Sequence, residues 1–434
     1  MEPLINPSML TVDQQTSRAR KLQVVGVLCG FTAGAWLGAA EAPTKLVSVG
    51  ISPVVISLVM VIGVFLARWS LPALILGTSS IHADVRRAPH LMIWAVLAGC
   101  LWAVANTLTI FAIRDVGLSI AFPLWNSNGL LGILWGFIFF NELRQAGWRR
   151  WAGVLGGALV MCAGAAILAA ASSTLGPASH SMRGVWAALG AGILWGTMYI
   201  PYRKAYLTGM NPLSFVTFFT LGELGMMGGL AVSYTGMRAL EHQLVGARGV
   251  LFWLMLGGFI WVIGDLFQQY AAKYVGISRG IPLSNSNQLW GLLWGVLVFG
   301  ELHGRSVSQY AQVISGSLLM MLGVGAIAFS WATGKEQTRW KEAAQRESQR
   351  YGVAADYVAA RMEGRQATDE RKPSRRPLDW LLVAAATGVF VFFGAMARVP
   401  QVSLHWGAAA ILSVASVVLL VVCGVALWRT TRFQ

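Results

Sequence analysis

Hydrophobic residues in this chain form long blocks joined by short polar segments, and the block lengths set the architecture. Blocks near 22–40, 47–67, 91–112, 118–140, 152–172, 184–203, 213–234, 250–271, 277–299 and 309–331 are each long enough to cross about 30 Å of hydrocarbon as a helix. Two more follow near 380–397 and 407–428. A polar leader (MEPLINPSMLTVDQQTSRARK) precedes the first block without a small-residue cleavage site, so that block reads as a retained signal-anchor.

The pattern is written twice. Residues 123 to 143 read PLWNSNGLLGILWGFIFFNEL and residues 282 to 302 read PLSNSNQLWGLLWGVLVFGEL, aligned without a gap at an offset of 159. Upstream, Trp102, Ala112, Val116, Gly117 and Ser119 answer Trp261, Ala271, Val275, Gly276 and Ser278, and Asn106 answers Asp265. Further back the offset slips to 158, where Gly26, Gly34, Gly38, Pro43 and Lys45 recur as Gly184, Gly192, Gly196, Pro201 and Arg203. A repeat of this length in an apolar chain is the mark of a transporter made of two related bundles. The expected organisation is a tail over 1–21, a first five-helix repeat over 22–172, a second over 173–332, a basic linker over 333–377 and an accessory hairpin over 378–434.

Composition excludes a water-soluble domain: 56% of the residues are hydrophobic and 12% are charged, so too much apolar surface would face water. The net charge of +15 would suggest nucleic acid in a soluble chain. Here its distribution matters more, because a cytoplasmic N-terminus puts 26 of the 33 lysines and arginines inside and seven outside. That balance predicts a plasma (bacterial inner) membrane protein with both termini cytoplasmic, and no nucleic acid partner. Five spans per repeat is an odd number, so the second copy must be inverted. The fold class is therefore an all-α polytopic membrane protein, a ten-helix core of two inverted five-helix repeats plus a C-terminal two-helix hairpin.

Some segments carry local expectations. Pro43 and Pro201, at matching ends of spans one and six, mark places where those helices would bend or break. In the linker, Trp340, Ala344, Tyr351, Ala354, Tyr357, Val358 and Met362 recur at helical spacing, which fits an interfacial helix beside anionic lipid. The final hairpin is nearly devoid of polar residues and suits homo-oligomer contacts. Cys29, Cys100, Cys162 and Cys423 show no paired spacing and read as packing residues, with neither disulfide nor metal site indicated.

Enzyme signatures are missing: there is no Walker A loop, no G-x-S-x-G elbow and no H-E-x-x-H, so no catalytic residue, cofactor or metal is assigned. Transport would run on a gradient. Amides and hydroxyls within spans should face the bundle interior or a wet cavity, and they suit the alternating hydroxyls of a sugar. Asn106, Asn126, Asn128, Gln268, Gln269, Asn285 and Asn287 are the amide candidates for a solute site, with Trp36, Trp125, Trp195 and Tyr199 as flat faces for a pyranose ring. Glu223 and Asp265 are the carboxylates deep in predicted spans and are the candidate proton-coupling groups, the alternative being pairing with an interior base. Glu142 and Glu301 end their spans and read as structural, capping the next helix or pairing with Arg144 and Arg305.

The motifs GLSIAFPL…LGILWGFIFFNEL and GISRGIPL…WGLLWGVLVFGEL resemble the drug/metabolite transporter superfamily (EamA-like). Within it, GISRGIPLSNSNQL and WVIGDLFQQYAAKY are similar to the bacterial glucose/ribose uptake branch, and GAAEAPTK to the matching end of rhamnose-proton symporters. Over about residues 20 to 332, the resemblance implies a central cavity lined by spans one, three, four, six, eight and nine. Residues 335–377, the two added spans and the acid at Asp265, where sugar carriers often have an amide, depart from it. The expected function is secondary transport of a small polar solute, most of all a monosaccharide taken up with a proton. An exporter of metabolites or cationic drugs is the alternative within transport. A receptor or signalling protein reporting through 333–377 is the alternative outside it.

Overall fold

The computed structural model describes residues 12–40, 42–45, 51–116, 124–125, 128–172, 181–300, 306–365, 375–398 and 404–433. Among them every regular element is a helix, and nine helices are long and apolar enough to cross a membrane, which fits a polytopic membrane protein. In chain order the main helices are α1 (Val12–Ala39), α2 (Pro53–Ile75), α3 (His90–Val116), α4 (Asn128–Phe140), α5 (148–172, with a π-helical turn over Ala152–Gly156) and α6 (Ser181–Leu207). Then follow α7 (Pro212–Thr235), α8 (Leu251–Val275), α9 (Ile277–Ser284), α10 (Asn287–Leu293, continuing as a π-helical turn over Trp294–Val298) and α11 (Val307–Ala328). The C-terminal part holds α12 (Gly334–Tyr351), α13 (Ala355–Met362), α14 (Pro377–Met396) and α15 (Trp406–Thr431).

Long-range packing joins the two halves of the chain. Helix α1 lies along α8 and α6 along α3, while α2 crosses α8, α3 crosses α7, and α5 pairs with α11. Two of these crossings are backbone on backbone. A Cβ at Gly63 would sit 2.1 Å from the Met255 carbonyl oxygen, and one at Gly258 would sit 2.0 Å from that of Met60. At the other crossing, a Cβ at Gly99 would be 2.0 Å from the Phe219 carbonyl oxygen and one at Gly222 would be 2.0 Å from that of Val96. Glycine alone permits such approach, which is how small residues hold membrane helices together. Every member of the first set has its counterpart in the second 159 residues away: Gly63 with Gly222, Met255 with Val96, Gly258 with Gly99, Met60 with Phe219. The α5/α11 pair repeats the relation on itself, Gly157 against Gly323 and Gly164 against Gly316.

Span nine is not one helix. It divides into α9 and α10 around Asn285 and Ser286, inside the second N-S-N triplet. The expected break at Pro201 is absent, because α6 runs through it to Leu207. Its last turns are held from outside: the buried Arg203 guanidinium donates to the carbonyls of Ala272 (3.1 Å) and Lys273 (2.9 Å), which offsets the hydrogen bond that the proline cannot make.

The linker segment packs on protein where the sequence pattern suggested a lipid interface. Trp340, Ala344, Tyr357 and Val358 are all buried, and Ala344, Tyr357 and Val358 join the same apolar core as Tyr202, Tyr206 and Phe215. Gly352, in the left-handed region at φ 63°, ends α12 and turns the chain into α13. Ion pairs fix the docking. Arg279 and Glu336 meet through two contacts of 2.6 and 3.0 Å, and Asp84 accepts from Ser214 (2.6 Å) and from Tyr357 (3.2 Å). Helices α14 and α15 lie outside the core, α14 against α2 and α15 against α1, with most of their apolar surface exposed.

Candidate functional site

The middle of the bundle holds a buried trio of charges. Arg68, on α2, has no exposed surface; its Nη1 donates to Glu223 Oε2 at 2.8 Å and its Nη2 to Asp265 Oδ2 at 2.6 Å. Thus one cation from the first half of the chain binds two carboxylates from the second. Its guanidinium also lies over the rings of Phe219 (4.3 Å) and Trp261 (5.1 Å), a cation–π arrangement that lowers the penalty of dehydrating it. The other Asp265 oxygen accepts from the Gln269 amide at 2.9 Å, and Gln269 in turn accepts from the Tyr206 hydroxyl. Asp265 therefore heads a hydrogen-bonded chain that runs one turn along α8 and across to α6.

Next to the trio, Trp102 and Trp261 meet edge to face at 5.3 Å. They occupy equivalent positions of the two repeats. One helical turn beyond each stand Asn106 and Asp265, and the Asn106 amide donates to Ser57 Oγ at 3.2 Å. Gln268, one residue before Gln269, donates to Ser284 Oγ at 2.6 Å and so ties α8 to the last turn of α9.

The N-S-N triplets form a second level of the site. Asn285 Nδ2 donates to Asn128 Oδ1 at 3.2 Å, joining one triplet to the other. Glycines of α1 and α6 admit them: Ser286 and Asn287 crowd Gly34 and Gly38, while the Asn128 carbonyl and Leu131 crowd Gly196. Trp125 and Trp195 pack at right angles with ring centres 6.2 Å apart, and Tyr199 is buried in the central core. Several buried polar atoms at this level have no partner among the described residues: Ser286 Oγ, Asn287 Oδ1, Gln288 Oε1 and the Trp195 indole N–H. Such groups call for water or a solute. The void beside Asn285 and Gln288 is about 10 Å³, room for a single water.

Three expectations fall differently. Trp36 points away from the seam, its indole N–H donating to the Ser416 carbonyl of α15 at 3.0 Å. Glu142 does cap a helix start, accepting from the amides of Ile277 (3.2 Å) and Ser278 (2.9 Å), but its ion-pair partner is Arg203 at 2.7 Å instead of Arg144. It is wholly buried as well, far from the rim position its place at the end of a span suggested. Asn126, Glu301 and Arg305 lie outside the described residues. The sequence reading missed Arg68, which it counted among the loop cations. The signal was present in VFLARWSLPALIL, where apolar residues continue for two turns past the arginine.

Comparison with known proteins adds a direction. A family described as Sugar transport protein matches residues 186–353, from α6 through α12. A Streptococcus pyogenes serotype M1 protein, named provisionally for sugar uptake, is 34% identical over 152 residues, 34% of this chain and 47% of its own length. Proteins of similarly provisional name occur in Lactiplantibacillus plantarum, 40% identical over 95 residues (21% of this chain, 32% of that one), and in Listeria innocua, 22% identical over 232 residues (52% and 75%). The chain thus spans about half the length of the streptococcal relative. Over residues 186–353 the chain is thus similar to a family described as Sugar transport protein, and part of it to proteins provisionally named for sugar uptake.

Proposed function

We propose that the chain is a secondary carrier for a monosaccharide or a closely similar neutral polyol, working by alternating access between two inverted five-helix repeats. The observation that carries this reading is the matched pair of glycine crossings, Gly63 with Gly258 and Gly222 with Gly99, each the other's equivalent at a spacing of 159. Inverted repeats that contact each other reciprocally can exchange conformations, and the exchange opens a midplane site to one side and then the other.

The solute would lie between the N-S-N triplets. Asn128, Asn285 and Asn287, with Asn126 of the first triplet, supply both donors and acceptors, while Trp125, Trp195 and Tyr199 offer ring faces. The break between α9 and α10 supports this placement, since irregular backbone at membrane depth is tolerated where it lines a cavity.

Coupling would reside in the trio of Arg68, Glu223 and Asp265. With both acids ionised the trio carries one excess negative charge in a dry core, and one proton cancels it. Protonation of Asp265 would release Arg68 toward Glu223 and relay the change through Gln269 and Tyr206. Both acids already hold a fixed cation, which speaks against a cationic cargo using them as counter-ions. The reading implies a plasma-membrane carrier with both termini in the cytoplasm and related by fold to the drug/metabolite transporter superfamily. Uptake of labelled monosaccharides by proteoliposomes under an imposed pH gradient tests it. Accumulation of at least one sugar, abolished by a protonophore, is the expected result; absence of flux or counterflow for every sugar and polyol tried would defeat it.

A further inference from the structure

We propose that a second cavity, between the end of the core and α12, binds a phosphate ester. The cavity measures about 490 Å³, within the range of small-molecule sites. Its walls draw on several separate parts of the chain, among them Arg18 and Arg20 from α1, Arg203 from α6, Lys273 and Tyr274 from α8, and Trp340 and Lys341 from α12. Glu363 is the one acid among the lining residues.

The charge balance is lopsided once neighbouring pairs are counted. Arg203 also reaches the wall, but Glu142 matches its charge at 2.7 Å, and Arg279 and Glu336 cancel behind it. Arg18, Arg20 and Lys341 then face one carboxylate, Glu363, which lies 4.0 Å from Lys341 Nζ and already pairs with Arg365 at 2.7 Å. A concave wall of one sign in a poorly hydrated setting concentrates counter-ions. The hydrogen-bonding inventory has the same bias. Guanidinium, ammonium and indole groups donate and never accept. Two donors at the cavity, Arg203 Nη2 and the Trp340 indole N–H, are buried and find no acceptor among the described residues. Arg203 is 1% exposed and its guanidinium lies 5.0 Å over the Trp340 ring, so the two side chains stack on each other. The missing component is an anion rich in acceptor oxygens, and charge-assisted bonds to phosphate fit that need. The rings of Tyr274 and Trp340 add flat apolar faces for the organic part of the ester.

A phosphate ester could arrive as a soluble metabolite or as the headgroup of an anionic lipid; both present the same chemistry to the cations. The proposal rests on this cavity alone and is independent of what the seam carries.

Purified full-length protein in an uncharged detergent, free of phospholipid, should be titrated with phosphorylated glucose and with adenosine monophosphate, alongside glucose and adenosine. Thermal unfolding and calorimetry read the result. The phosphorylated compounds should raise the midpoint and bind measurably, their unphosphorylated parents should not, and Arg20→Glu/Lys341→Glu should weaken binding about tenfold or more. Both side chains are exposed, so this variant should fold; Arg20→Gln/Lys341→Gln, with a smaller loss, serves as a second check. In bilayers of phosphatidylcholine with or without phosphatidylglycerol, competition by the anionic lipid would identify the headgroup as occupant, and undiminished binding of the soluble esters would identify a metabolite. Equal binding of phosphorylated and neutral compounds, or no change in either charge variant, would overturn the proposal.

Discussion

Arg68 Nη2 and Asp265 Oδ2 lie 2.6 Å apart with neither side chain reaching solvent, and the two residues come from opposite halves of the chain. A guanidinium and a carboxylate in such a setting stabilise each other only as a set, because the dehydration of either alone costs several kcal/mol.

Replacing Arg68 by Gln should therefore be among the most damaging single changes in the molecule. It leaves Glu223 and Asp265 facing each other without a cation, and a loss of ~3–5 kcal/mol is expected for a broken buried pair. A lowered unfolding midpoint in detergent checks this, and Arg68→Gln combined with Glu223→Gln and Asp265→Asn should recover much of the loss.

Asp265→Asn should act differently. Glu223 still neutralises Arg68, but an asparagine that keeps its oxygen toward Gln269 sets its Nδ2 donor against Arg68 Nη2, so the midpoint should fall, by less than in Arg68→Gln. Proton-driven accumulation in proteoliposomes should disappear while sugar counterflow continues; full gradient-driven uptake by the variant would remove Asp265 from the coupling step.

The glycine crossings separate steric from general effects. Gly63→Val and Gly222→Val should each reduce folded yield to a similar extent, since the new Cβ would press on a carbonyl oxygen at 2.1 or 2.0 Å that cannot yield without moving a helix. At Gly225, also in α7, a Cβ meets nothing within 4 Å, and Gly225→Ala should leave stability within ~1 kcal/mol. Size-exclusion profiles and thermal unfolding distinguish the two classes.

Cys29 and Cys423 place their sulfurs 3.5 Å apart between α1 and α15. Mild oxidation with copper phenanthroline should join them, giving a linked pair of peptides by mass spectrometry that is lost in Cys423→Ala. Failure to cross-link under conditions that oxidise an exposed control thiol would mean that α15 does not rest on α1.

The all-helical, membrane-spanning character of the chain could be read in the sequence because apolar block length is a local signal, whereas the expected twelve spans meet nine long apolar helices among the described residues. Asn128 and Asn285 stand at non-equivalent positions of the two N-S-N triplets, each a candidate by its own triplet, and the structure brings them into contact. Arg68 was not legible, because counting cations by loop assigns any arginine near a span's end to water, and only its partners 155 and 197 residues away hold it inside. Pro201 misled in the opposite sense: its local tendency to break a helix is overruled by Arg203 anchoring the turn to α8. The partner of Glu142 was hidden similarly, since Arg144 is near in sequence and Arg203 only in space. Trp36 carries nothing in its own segment to tell an inward from an outward face, and α15, which covers it, begins some 370 residues later.

The position of Arg68 also bears on how the protein is made. Its two counter-charges belong to α7 and α8, which leave the ribosome long after α2, so during synthesis the arginine must wait beside lipid headgroups, water or the insertion machinery. The first half therefore lacks the charges that neutralise Arg68, and the trio can form only once α7 and α8 have been inserted.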